Sequence, residues 1–317
     1  MQLTQKKEAR YELVEIPERF GPVEVVVDEA KVRAYAFSQG DYGSWYFGES
    51  PFGGPVGHPL VLANDLLFLF YEEYDGNTAQ GLHTHEDLTF VNPVHVGERV
   101  TVSGGYVEKY ERRGQGYVTL KAEARGEDGR LLVKHIGKEI MRTRAGDVVG
   151  RGKAEGSGRR VRAEVRDDLA VATQAASGLE PLTPLPTLSR SFDQDQMMVF
   201  SWAGKGYSNV HTSRERAEAS GLDRTIVQAQ QQTGLIVEAM TSFFGAAWFT
   251  SGHLDLRFVG PAFVGDLLTV HGAVAGGTDG RLEIEVWIAK ESGQKTALGW
   301  ASGELAGVTP GPSQLLR

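Results

Sequence analysis

Two glycine-containing loops carry the residue types best able to do acid–base chemistry: Gly40-Asp41-Tyr42-Gly43-Ser44-Trp45-Tyr46 and Lys205-Gly206-Tyr207-Ser208-Asn209-Val210-His211. Histidine titrates near neutral pH, so His211 can take or give a proton, and a carboxylate such as Asp41 can hold a water or act as a base. Each also has a structural reading. Thr212-Ser213-Arg214-Glu215 is a capping sequence that would leave His211 at the approach to a helix. An aspartate in a Gly-Asp-Tyr-Gly turn is commonly satisfied by backbone N–H groups. His83 and His85 alternate along an expected strand as two metal ligands could. No third ligand follows at a recognisable spacing, so a structural or solvent-facing reading is preferred and no metal site is expected.

The two loops are copies of each other. Val27 to Tyr46 lies over Phe192 to His211 without gaps, at a shift of 165. A second block, Phe90-Val91-Asn92-Pro93-Val94-His95-Val96-Gly97, recurs 168 positions later as Phe258-Val259-Gly260-Pro261-Ala262-Phe263-Val264-Gly265. Two blocks in one order at nearly one shift, more than half the chain, indicate a duplicated domain. The division expected is 1–144, a linker over 145–186, and 187–317, a size that suits two domains of about 150 residues.

The elements that must position the loops can be read next. In each copy a long apolar stretch follows the loop, His58 to Tyr71 and Ile226 to Met240, and each predicts a buried central helix. Period-two segments such as Tyr117 to Ala124 and Leu282 to Ile288 predict strands, with hairpin signals at Asp128-Gly129, Asp279-Gly280 and Ser292-Gly293. Hairpin-joined strands with a helix on one face make an α+β protein. Residues 145–186 are rich in Gly, Arg, Ala and Pro and read as a surface linker, mobile in part, while the tail from Thr309 reads as disordered. The run Gly150 to Gly158 lacks the Gly-Lys-(Ser/Thr) ending of a phosphate loop.

Composition narrows the function classes. A net charge of −8 gives no support to nucleic-acid binding, and the absence of cysteine excludes disulfides, thiolate metal sites and a cysteine nucleophile. No apolar stretch reaches the length of a membrane span and Met1 to Arg10 does not resemble a signal peptide, so a cytoplasmic location is expected.

A Gly-Asp-Tyr loop, a following helix and a strand Phe-Val-x-Pro-x-x-Val-Gly-(Asp/Glu) together resemble the MaoC-like hydratase/dehydratases of the hotdog superfamily. The duplication resembles their double-hotdog members over nearly the whole chain. The resemblance implies a tandem hotdog, two antiparallel sheets each wrapping a long helix, paired so that the sheets become continuous. It implies a lyase that adds water to a 2-enoyl thioester or removes it from a 3-hydroxyacyl thioester, with coenzyme A or acyl carrier protein as carrier, no cofactor, and room for a homodimer of pseudo-dimers.

The family motif Gly-Asp-x-Asn-Pro-x-His is split here. The first copy keeps Gly40-Asp41 but has Tyr46 for the histidine; the second keeps His211 but has Gly206 for the aspartate, with Asn209 one position late. The helix-start element whose last residue supplies an oxyanion N–H matches Val56-Gly57-His58-Pro59 and Ile226-Val227-Gln228-Ala229. Proline has no N–H, so only the second copy can donate there. The resemblance therefore implies a site in the second copy, with His211 as acid/base, Ala229 as oxyanion donor, and Ser208, Asn209, Gln228 and Tyr207 beside them. Asp41 belongs to the degenerate first copy, a structural partner that can supply a substrate tunnel. Arg112, Arg113 and Lys205 could meet coenzyme A phosphates, although surface charge is the simpler reading. The alternatives are thioester hydrolysis with Asp41 acting, and a non-catalytic or partner-dependent acyl-CoA-binding protein.

Overall fold

The computed structural model describes residues 6–79, 81–142, 159–278 and 280–305. The first half contains β1 (Lys7–Glu8), β2 (Glu18–Val27), α1 (Glu29–Gln39), α2 (Ser44–Phe47), α3 (Ala63–Leu67), β3 (Tyr74–Asp75), β4 (Leu82–Phe90), β5 (Glu98–Arg112), β6 (Gln115–Gly126) and β7 (Leu131–Arg142). The second contains β8 (Leu188–Ser191), α4 (Gln194–Phe200), α5 (Arg214–Ala219), α6 (Ala229–Phe244), α7 (Ala246–Ser251), β9 (His253–Phe258), β10 (Leu267–Thr278), β11 (Arg281–Lys290) and β12 (Lys295–Glu304). The α+β class expected from the hairpin signals holds.

Ten of the strands form one antiparallel sheet, in the order β2-β5-β6-β7-β4-β9-β12-β11-β10-β8, and β1 and β3 pair with each other in parallel. Read inward from the two edges of the large sheet, the order is the same in both halves, and the halves meet where β4 pairs with β9. Joining there pairs two rows of backbone groups that would otherwise need other partners. Asp87 faces Asp255 in that ladder, 168 residues apart, so the pairing runs about a pseudo-two-fold axis. His85 Nε2 meets Asp255 Oδ1 at 2.9 Å and the corresponding His253 Nε2 meets Asp87 Oδ2 at 3.2 Å. His85 is thus a seam residue, each histidine bonding the other half's aspartate.

The expectation of a long helix in each half needs correction. In the second half α6 runs sixteen residues and its first half is buried on all sides. In the first half the corresponding apolar stretch makes only the five residues of α3 and then a 3-10 turn, Phe68–Glu72. The residues before α3 are drawn into turns: the Leu60 N–H donates to His58 Nδ1 at 2.9 Å, and Pro59 has no N–H to give. The aromatic run that follows has modest helix propensity and takes its stability from ring packing, with Phe68 stacked on Tyr71 at 4.7 Å. An apolar run shows burial; it does not show length of helix.

The described part of the expected linker, 159–186, is pinned to the second half. Leu182 and Leu185 donate N–H bonds to Val274 and Gly272 at 2.7 and 2.9 Å, and Arg162 pairs with the buried Glu285 at 3.0 Å. Residues 143–158, with the glycine run, and the tail from Thr309 lie outside the described residues.

Candidate active site

The loop before α5 shapes His211. Gly206 stands at φ +87°, a left-handed conformation that glycine adopts without strain and that an aspartate there would not. Asn209 then closes a short turn: its Oδ1 accepts the His211 N–H at 2.9 Å, and its own N–H goes to Thr212 Oγ1 at 3.0 Å. The imidazole Nδ1 lies 2.8 Å from the Ile226 carbonyl oxygen. A carbonyl can only accept, so Nδ1 carries the proton and Nε2 carries the lone pair. Burial lowers the pKa of His211 to about 4, against which the Ile226 hydrogen bond pulls weakly upward. The ring is neutral at physiological pH, with Nε2 available as a base.

His211 lines a cavity of about 200 Å³ together with Asn209, Gln228 and Ala229 of the second half and His83, Tyr117 and Glu139 of the first. Ala229 is the first residue of α6, following an extended Gln228. N–H groups of a first helical turn have no partner within the helix and carry the positive end of its dipole. Gln228 lines the cavity, but its amide is committed elsewhere: Oε1 accepts from Ser201 Oγ at 2.7 Å and Nε2 donates to Asn64 Oδ1 at 2.8 Å. It fixes α6 against α3.

The remaining expected residues lie outside this cavity. Ser208 donates its N–H to Asn77 Oδ1 at 2.8 Å and accepts from Arg216 Nε at 3.1 Å. Tyr207 packs its ring 4.6 Å from Tyr71 and lines a second cavity of about 710 Å³, along with Lys31, Trp202 and Lys205. Phe68 and Tyr71 line both cavities and stand between them. Asp41 lines neither; it is buried, accepting from the Tyr46 hydroxyl at 2.9 Å and the Gly43 N–H at 3.1 Å. His58 Nε2 stands 3.7 Å from Asp41, and burial lowers the His58 pKa to about 4. Asp41 therefore closes the first copy's loop, and the structure does not bring it to His211.

Sequence reasoning missed the first half's contribution. Glu139 projects from β7 to the cavity wall, 3.9 Å from His83 Nδ1, and burial together with the charge of Glu86 raises its pKa to about 7. The signal was present, because His135, Gly137 and Glu139 occupy alternate positions of one strand and so share a face. Only the folded sheet shows that Glu139, on this face, lines the same cavity as His211.

The two halves are equivalent and share one continuous antiparallel sheet, with the N-terminus of α6 at a cavity. Residues 174–295, in the second half of the chain, match the family model of the MaoC like domain. No curated protein matches the sequence. Among solved structures the chain is similar to a MaoC-like dehydratase, at TM-score 0.70 and 15% identity over 93% of this chain and 100% of that one. It is also similar to the peroxisomal multifunctional enzyme type 2 of Drosophila melanogaster, at TM-score 0.61 and 18% identity, over 92% of this chain and 48% of that one. A conserved hypothetical protein of Mycobacterium tuberculosis, described as having a double hotdog fold, matches at TM-score 0.56 and 12% identity over 93% and 98%. At such identities the likeness is one of fold. Among the described residues no helix is long and apolar enough to cross a membrane.

Proposed function

We propose that this protein hydrates a 2-enoyl thioester, or dehydrates the 3-hydroxyacyl thioester, in the cavity between its halves. The observation that carries the reading is the pairing of an imidazole of fixed tautomer, His211, with the N-terminus of α6 in one cavity. The thioester oxygen would lie at the Ala229 N–H, where the charge of an enolate develops and the helix dipole opposes it. His211 Nε2 takes a proton from water while the oxygen bonds to C3. The imidazolium, strongly acidic in this buried setting, returns that proton to C2. One water adds, the C3–O and C2–H bonds form, and the histidine ends neutral.

Glu139 faces this chemistry from the other half and takes the place of the carboxylate that Gly206 cannot provide. Its position suits it to accept a hydrogen bond from the O–H that the attacking water keeps as the 3-hydroxyl. The substrate's acyl chain would run toward the first half, where α3 is short and aromatic side chains line the wall. The carrier, coenzyme A or acyl carrier protein, remains part of the proposal. Lys205 faces the second cavity, and its ammonium lies over the Trp202 ring at 3.4 Å. It thereby has a packing role without any phosphate.

The test is loss of enoyl-thioester absorbance with a panel of short, branched and long trans-2-enoyl-CoA substrates. Wild type should turn over, His211→Ala should lose at least about a hundredfold in kcat, and Asp41→Ala should keep its kcat if it remains folded. A non-catalytic acyl-thioester-binding reading draws on one observation, the glycine at 206; tight binding with no turnover on any substrate would establish it instead. Hydrolysis through Asp41 has no support in the geometry, and release of free thiol would be needed to revive it.

A further inference from the structure

We propose that His83, Glu86 and His135 form a binding site for a divalent transition-metal cation, buried behind the stretch of cavity wall that His83 lines. Their ligand atoms lie within 4.8 Å of one another, and His135 Nε2 is 3.3 Å from Glu86 Oε1. Metal–ligand bonds of 2.0–2.1 Å in a tetrahedral site place neighbouring ligands about 3.3 Å apart, so a cation need draw His83 in by at most about 1.5 Å.

Three features of the sheet build this cluster. A bulge in β4 skips Thr84, so that His83 comes opposite Glu139 while Glu86 is opposite Gly137 and Leu88 opposite His135. Without it, strict alternation would turn His83 to the other face. Gly137 leaves the space the rings occupy: a Cβ there would lie 2.9 Å from His135 Cε1 and 3.3 Å from His83 Cε1. Two groups on α6 hold the carboxylate in place, Gln230 Nε2 at 2.8 Å from Oε1 and Thr233 Oγ1 at 2.6 Å from Oε2. Support of this kind orients a metal-ligating carboxylate.

The imidazoles lack what buried polar groups ordinarily have. Neither nitrogen of His83 nor of His135 has a hydrogen-bond partner of acceptable geometry, though the side chains are 7% and 0% exposed. Such groups call for an explanation, an ion among them. The duplication supplies an internal control. In the second half Leu254 stands opposite Ala301 where Glu86 faces Gly137, and Gly299 occupies the position of His135. The same sheet is thus built there from apolar and small residues, and the fold does not require the cluster. Two imidazoles and one carboxylate, with no thiolate in the chain, suit zinc or a neighbouring first-row metal.

The inference does not depend on the reaction proposed above, and its test reads metal alone. Full-length protein stripped with chelator is titrated with ZnCl2 by calorimetry. Wild type should bind one Zn2+ per chain, and stripped protein given Co2+ should show the visible d–d bands of a low-symmetry site. His83→Gln and His135→Gln, checked for folding by circular dichroism, should each weaken binding at least tenfold. His95→Gln, in the connection between β4 and β5 and not one of the three ligands, should not. Absence of stoichiometric zinc and of the cobalt bands in wild type would overturn the proposal. So would binding unchanged in both glutamine variants.

Discussion

The protonation state of His211 is set by one carbonyl and by burial, and both have measurable consequences. If neutral Nε2 is the working base, kcat/KM in a Glu139→Gln background should stay level on the acid side until the pH approaches about 4, the value to which burial lowers this histidine, while wild type should add a limb near 7 where Glu139 takes up its proton. An exposed histidine would lose its base near pH 6.5. An acid limb near 6.5 that persists in the Glu139→Gln variant would show that His211 is not buried as a neutral base. Glu139→Gln keeps the shape of the wall while changing how it meets water, and should cost about tenfold to a thousandfold in kcat with little change in the thermal midpoint. A kcat equal to wild type would remove Glu139 from the mechanism. At this scale the sequence was informative where a motif survived. His211 could be singled out because it lies in a glycine-containing loop copied between the halves, and Ala229 because it ends the helix-start element that the resemblance supplies. Glu139 and His135 could not, because nothing in the local order of a strand says which cavity its inner face meets.

The head of α6 separates a positional effect from a structural one. Proline is tolerated as a first helical residue, and Gln228 at ψ 141° already has the extended backbone that a following proline prefers. Ala229→Pro should therefore leave stability nearly unchanged while deleting the N–H proposed to meet the thioester oxygen. The expected loss in kcat is about a hundredfold to a thousandfold, checked by kinetics beside a melting curve. Intact kcat in a folded A229P protein would place the oxyanion elsewhere. The first half carries Pro59 at the corresponding point, and there the helix is broken into α3 and a 3-10 turn. Strands and hairpins were legible because alternation and Asp-Gly turns are local. The shortness of α3 was not, since its cause lies in ring packing and in the His58 side chain capturing the Leu60 N–H.

Across the molecule, burying neutral histidines ties stability to pH. His58 and His211 both have pKa values lowered to about 4 by burial, below the value near 6.5 of an unfolded chain. As pH falls below about 6.5 the unfolded chain takes up protons first. The stability present above 6.5 is therefore lost progressively down to about 4. Urea midpoints should be lower at pH 5 than at pH 7, and His58→Gln should narrow the gap; a gap of unchanged size in that variant would show that other groups drive it. The two-fold arrangement of the whole was legible from the repeat, and the merging of its strands into one sheet from the resemblance, whereas the crossed histidine–aspartate pairs at the seam were not, since no single copy displays them. That merging leaves β2 and β8 as the outermost strands. The ladder of β2 is interrupted between Phe20 and Val23, and β8 is four residues long, with the segment around Pro184 bridging to β10 beyond it. Interrupted, short and covered margins are poor templates for a foreign strand. At these two margins of the described sheet cross-β growth has no ready starting point, and an assembly of several chains is better served by faces and side chains.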